Sequence, residues 1–84
     1  MKYKVLIMPR ASKELDALSP VERDRIVEKI IGLSNDLMGD VKHLIKFDPG
    51  YRLRVGDYRV LFDVKDSEVL VQHVVHRSKA YKRK

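Results

Sequence analysis

From Tyr51 to Val64 the chain is apolar at every second position. Tyr51, Leu53 and Val55, then Tyr58, Val60, Phe62 and Val64, alternate with Arg52 and Arg54, then Arg59, Leu61 and Asp63. A period of two sends successive side chains to opposite faces, so this stretch reads as a half-buried antiparallel hairpin. Gly56-Asp57 sits between the two runs and suits a two-residue turn with glycine first. That turn sets the register: Val55 faces Tyr58, Arg54 faces Arg59, Leu53 faces Val60 and Arg52 faces Leu61. Every bulky apolar residue except Leu61 then falls on one face, and a slip of one residue would mix arginines into it.

The register makes Arg54 and Arg59 direct cross-strand neighbours, with Arg52 on the same face. Opposed like charges cost a fraction of a kcal/mol to about 1 kcal/mol, so stability alone gives no reason for the arrangement. Either Asp57, Asp63 or a residue from elsewhere neutralises the cluster and the face is merely solvated, or the face binds an anion. Asp63 has the right parity but lies down the strand and does not balance three arginines. The pattern favours an anion site, and the planar, permanently protonated guanidinium fork matches phosphate.

The remaining segments supply a second layer. Residues 3–8 form a short strand-like run ending at Pro9, which suits the first turn of a helix. Ala11, Leu15 and Leu18 then make one helical stripe. A second helix opens on Ser19 as N-cap, Pro20 at the first helical position and Glu22 completing a capping box. Ile26, Val27, Ile30, Ile31 and Leu33 form its apolar face, which ends near Asn35. Residues 36–50 have no clean period and read as a connector with turns at Gly39 and Asp48-Pro49-Gly50. A last strand runs from about Glu68 to Val75, apolar at both parities, as a central or well-covered strand is. The order β-α-α-β-β-β describes one α+β domain over residues 1–84, two helices packed on a mainly antiparallel sheet, with a short basic C-terminal segment.

With 84 residues, the chain lies near the lower end of what folds on one core without staples. It has no cysteine, hence no disulfide and no thiolate metal site, which fits a reducing cytoplasm. No apolar run approaches the roughly 20 residues of a membrane span, and the start lacks the h-region of a signal peptide. A soluble, unprocessed, cytoplasmic protein is expected, with no membrane partner. The net charge of +6 predicts attraction to polyanions that weakens with salt. The last eight residues, Arg77 to Lys84, carry five positive charges and no negative one.

Few chemistries remain open. His43, His73 and His76 show no metal-ligand spacing with carboxylates, so neither metal nor cofactor is expected, and His73 reads as a core histidine within an apolar strand. Glycine-rich phosphate loops and nucleophile triads are absent. What is left is metal-free cleavage of RNA, in which the 2′-OH attacks the adjacent phosphate. That reaction needs a base, donors for the phosphate oxygens, and an acid or cation at the leaving 5′-oxygen. Arginine stabilises the developing charge but is no ordinary base. Tyr81 among cations and His76 are the candidate bases, and Arg77, just past the last strand, is placed to meet the leaving group. Tyr81 has an alternative role, stacking on a base or packing on the sheet, and the residues alone do not make the chain an enzyme.

The run from Tyr51 to Phe62, followed by Val75-His76-Arg77-Ser78-Lys79-Ala80-Tyr81, resembles the signature of the RelE/ParE toxins of bacterial toxin–antitoxin systems. The element order matches that RelE-like fold over essentially the whole chain. The resemblance implies an mRNA interferase, an endoribonuclease that enters the ribosomal A site, cuts the mRNA codon there without metal and blocks translation. It places Arg52 and Arg54 where close members carry lysines. Arg59 matches the arginine that steadies the scissile phosphate, Arg77 the one at the leaving group, and Tyr81 the tyrosine that stacks on the base and aids catalysis. Arginine is a poor replacement where lysine serves as base, which leaves that role to Tyr81 or His76.

The resemblance also implies a cognate antitoxin, acidic and RelB-like, that folds on binding and covers the arginine face or displaces the Tyr81 segment. Operator DNA is then contacted only indirectly, through the antitoxin. Two rivals stand beside the ribonuclease: a ParE-type inhibitor of DNA gyrase on the same fold, and a non-catalytic RNA-binding module. The full set Arg52, Arg54, Arg59, Arg77 and Tyr81 favours the ribonuclease, because gyrase-directed members need not retain it.

Overall fold

The alternating segment forms the hairpin expected of it, in the expected register. In a computed structural model that describes residues 1–80, β3 (Tyr51–Val55) and β4 (Tyr58–Lys65) pair antiparallel, Arg54 opposite Arg59 and Arg52 opposite Leu61. Gly56 takes the left-handed φ of +58° at the turn, where a Cβ would be strained. The other elements are β1 (Lys4–Ile7), α1 (Pro9–Asp16), α2 (Pro20–Gly32), β2 (Val41–His43), β5 (Glu68–His76) and a 3₁₀ turn at Arg77–Lys79. Among the described residues they build one five-stranded sheet in the order β1-β5-β4-β3-β2, with only the β1–β5 pair parallel. No helix of the described residues is long and apolar enough to cross a membrane.

Both helices begin as the sequence indicates. Pro9 and Pro20 open α1 and α2, and the Ser19 hydroxyl accepts the Glu22 amide at 3.4 Å. Ala11 and Leu15 of α1 and Ile26 and Ile30 of α2 are buried, with Leu33 at the C-cap. They pack on Leu53, Val55, Val60, Phe62, Val69, Val71 and Val74 of the sheet. Ile31, counted above in the apolar face, is 61% exposed. Ile26, Ile30 and Leu33 already complete an i, i+4, i+7 line, and one residue further the helix turns by about 100° away from the sheet.

Two features differ from the sequence expectation. Within the connector, Val41–His43 adds an edge strand on β3, with Val41 opposite Leu53 and Lys42 opposite Arg52. Three residues are too few for a period to show. Gly39, at φ +127°, shapes the approach to this strand, and a Cβ there would meet Leu53 Cδ1 at 2.8 Å. The second feature is a bulge. Leu61 pairs with His73 but Phe62 with Val71, so Gln72 is an extra residue on β5.

The bulge gives β5, which is indeed central, a further reason to be apolar at both parities. Val69 and Val71 face the helices before it, and Val74 does so after it. It also corrects the placement of His73. Rather than lying in the core, His73 stands opposite Leu61 on the far face and is only half-buried. That face carries its own small apolar group, in which Leu44, Leu61 and Ala80 are buried outside the main core.

Candidate nucleic-acid interface

The strand alternation that buries Leu53, Val55 and Val60 turns Arg52, Arg54 and Arg59 to the opposite side of the sheet. Strand β2 adds Lys42 directly across from Arg52. Two rows therefore cross this face, Lys42-Arg52-Leu61-His73 and, beside it, Arg54-Arg59-Val75. Four cations share one surface, and Lys42 was not foreseen because its strand was not.

Asp40, also unforeseen, neutralises part of the cluster. Arg52 Nη1 donates to its backbone oxygen at 2.9 Å and to Oδ1 at 3.2 Å, and Arg54 Nε donates to Oδ2 at 2.6 Å. The Arg54 amide also donates to the Asp40 carbonyl, at 3.0 Å, which fixes the residue to the strand end. The hydrogen bonds from Arg52, then Arg54, hold the Asp40 carboxyl below its usual range. Asp40 follows Gly39 in an aperiodic connector, so only the fold of residues 33–43 reveals the contact. The other two carboxylates considered serve elsewhere. Asp63 accepts the Gly50 amide at 3.0 Å, and Asp57 lies 3.9 Å from Arg77.

The arginines are thus not equivalent. Arg52 is more enclosed than Arg54, its side chain 13% exposed against 55%. Arg59 has no carboxylate partner among the described residues. Its Nη1 donates to the Gly56 and Tyr58 carbonyls, each at 2.9 Å. Arg77 is brought to the same turn, its amide donating to the Asp57 carbonyl at 2.7 Å. His76 is not brought in. It pairs with Tyr58 on the helix side of the sheet, edge-on at 5.7 Å, and its Nδ1 lies 3.1 Å from Ser78 Oγ. Tyr81 lies outside the described residues.

In chemical terms, one edge of the face is an arginine pair already filled by a carboxylate, and the other is Arg59 with its charge uncommitted. The Asp40 carboxylate occupies the place of a bound anion between two guanidinium groups. Asp40→Asn is expected to tighten binding of single-stranded RNA several-fold at low salt, with the gain shrinking at high salt as screening grows. Titrations at two ionic strengths check this, and unchanged affinity at both would refute it. The same pair sets an acid dependence. Because the folded carboxyl titrates lower than the unfolded one, its contribution to stability is complete above the ordinary carboxylate range. It is lost as pH falls through the lowered folded value. The melting temperatures of wild type and Asp40→Asn should therefore begin to draw together as pH falls below about 4, the ordinary carboxylate value, and meet only below the lowered folded value.

Comparisons with known proteins point to toxins of toxin-antitoxin systems. A family model described as the ParE toxin of type II toxin-antitoxin system, parDE, matches residues 5–81. Among curated proteins, the putative toxin RelE1 of Methanocaldococcus jannaschii is 32% identical, with 98% of each chain covered. Toxin RelE3 of the same organism is 36% identical over 47 residues, which span 53% of its length. Among solved structures, the Mycobacterium tuberculosis toxin-antitoxin complex RelBE2 superposes with a TM-score of 0.78 at 26% identity, covering 92% of this chain and all of that one. The RelB-RelE antitoxin-toxin complex of Methanococcus jannaschii gives a TM-score of 0.73 at 28% identity, covering 90% and 94%.

Proposed function

Since the chain belongs to the RelE/ParE superfamily of toxins from type II toxin–antitoxin systems, we propose that it is a ribosome-dependent endoribonuclease, cutting mRNA in the A site without metal and blocking translation. The observation that carries this proposal is the opposed pair Arg54 and Arg59, with Arg52 and Lys42 beside it, on the sheet face opposite the main core. A fold stabilised by that face alone would not oppose like charges. A phosphodiester is the ligand that repays the arrangement, because its oxygens accept several guanidinium hydrogen bonds at once.

In the proposed reaction the 2′-OH attacks the neighbouring phosphorus and the 5′-oxygen leaves. Arg59 meets the non-bridging oxygens where charge accumulates. Arg77, exposed at the strand end and held beside the hairpin turn, neutralises the leaving oxygen. Arg52 and Arg54 bind the RNA backbone once the phosphate competes with Asp40. Tyr81 stacks on the base. His76, turned to the helix side against Tyr58, is poorly placed to exchange protons on the arginine face.

In the cell, the proposal includes cytoplasmic action under control of a RelB-like acidic antitoxin. The net charge of +6 suits such a partner, and two of the similar structures are complexes of a RelE with its RelB. Operator DNA would be reached only through the antitoxin. The rival is poisoning of DNA gyrase, kept in view by the ParE description of the matching family model. Induced expression with primer extension on translated messages separates the two. Codon-phased cuts in mRNA are expected. Growth arrest with intact mRNA and accumulated DNA breaks would move the protein to the gyrase branch.

A further inference from the structure

A cleft of about 220 Å³ opens beside the arginine rows, between α1, the segment after β2 and the 3₁₀ turn. Leu61 and Val75 line it from the sheet, with Leu44 and Ala80, and His73 and Glu14 supply polar groups. We propose that His73, oriented by Glu14, is the proton-transfer group of the arginine face, taking the proton of the attacking 2′-OH while the cleft receives the nucleoside. The proposal rests on the ribonuclease function above and names the base that function lacks.

Three observations carry it. First, among the described residues His73 is the only histidine on the arginine face. His76 pairs with Tyr58 on the helix side, and His43 stacks on Tyr51 there at 4.7 Å. Second, a carboxylate stands beside the ring. Glu14 Oε1 accepts the Val74 amide at 2.8 Å, which fixes the carboxylate against the bulge, and the same oxygen lies 3.7 Å from His73 Nδ1. A carboxylate at Nδ1 favours the tautomer with its proton there and leaves Nε2 as the free lone pair. Third, the register brings this ring to the phosphate site. Arg59 faces Val75, so His73 is its diagonal neighbour, the two strand positions roughly 7–8 Å apart and within reach of long side chains, with the Arg59 guanidinium itself on the Gly56 and Tyr58 carbonyls.

A ribose with its 3′-phosphate bridges that gap, phosphate toward Arg59 and 2′-OH toward His73. The apolar lining of the cleft suits the face of a base, and its volume is below the roughly 300–1,000 Å³ of sites for drug-sized ligands. The other charges around His73 are Arg10, Lys79 and Asp48 at the cleft, and Asp63 in a shallow groove that Asp48 also lines. In the step itself, Nε2 takes the 2′-proton, the 2′-oxygen bonds to phosphorus, and the bond to the 5′-oxygen breaks. That oxygen takes a proton from water. The products are a 2′,3′-cyclic phosphate and a 5′-hydroxyl, and His73 returns its proton to water.

The test is single-turnover cleavage on purified ribosomes carrying a defined mRNA. His73→Ala should cut roughly 10²–10⁴-fold more slowly, with ribosome affinity within about threefold of wild type and partial rescue by added imidazole. A merely structural role would give no such rescue. His73→Gln, closer in shape, guards against misfolding and should be as slow. Glu14→Gln keeps an acceptor for the Val74 amide and should lower the rate constant at saturation, not the half-saturating ribosome concentration. Full-rate cutting by His73→Ala or His73→Gln overturns the assignment while the ribonuclease function stands. A slow His73→Ala without imidazole rescue also overturns it. A wild-type protein that cuts nothing removes both.

Discussion

Arg59→Ala is expected to lower mRNA cleavage on programmed ribosomes by roughly 10²–10³-fold, the usual loss when one preorganised donor to a developing oxyanion is removed. The effect should exceed that of either neighbouring arginine. Arg52 and Arg54 share the Asp40 carboxylate, so loss of one leaves the other paired. Among the described residues Arg59 meets only the Gly56 and Tyr58 carbonyls, which leaves its charge for the phosphate. Stability should change little, because relief of the repulsion with Arg54 across the strands offsets the loss of the two hydrogen bonds to carbonyls. Arg59→Lys should fall between, keeping the charge but losing the bidentate fork. A rate within threefold of wild type for Arg59→Ala, in a folded protein, would take the phosphate from this residue.

Phe62→Ala should be the most damaging change to the fold. Phe62 is fully buried at the centre of β4 and stacks on Tyr51 at 5.4 Å between ring centroids. It also sits next to the bulge, opposite Val71. Truncating a buried phenylalanine costs about 3–5 kcal/mol through lost burial and the cavity left behind. A domain of this size has roughly 4–13 kcal/mol in total, so much of its stability would go. Urea unfolding should show the midpoint collapse, and thermal unfolding a drop of roughly 15–30 °C. A loss under about 1.5 kcal/mol would mean that the sheet does not pack on the helices around this side chain.

These two side chains sit next but two along one strand, and alternation alone foretold their separation into core and outer face. The hairpin register followed from Gly56 and the arginine–valine pattern, and the start of α2 from Ser19, Pro20 and Glu22. The candidate site was legible only in part. Arg52, Arg54 and Arg59 were placed correctly on one face, and the resemblance of the chain's signature to RelE/ParE toxins gave the family that the comparisons then supported. Asp40, Lys42 and His73 were missed. The first two lie around a three-residue edge strand whose existence depends on a partner, and such a segment carries no period of its own. His73 was misread because an apolar strand with one extra residue looks the same, from within, as a strand buried on both faces.

By itself, then, the sequence determined both helices, the hairpin with its facing and the last strand, because alternation, capping and turn chemistry act between residues close along the chain. Only the tertiary structure decided what meets the arginines. Asp40 reaches them from 12 and 14 residues away, and Glu14 reaches the bulge from 60. A bulge exists only relative to the strand beside it. Whether a guanidinium is neutralised or left for a phosphate, and on which face a histidine stands, depends on contacts between segments distant in sequence, which local pattern does not encode.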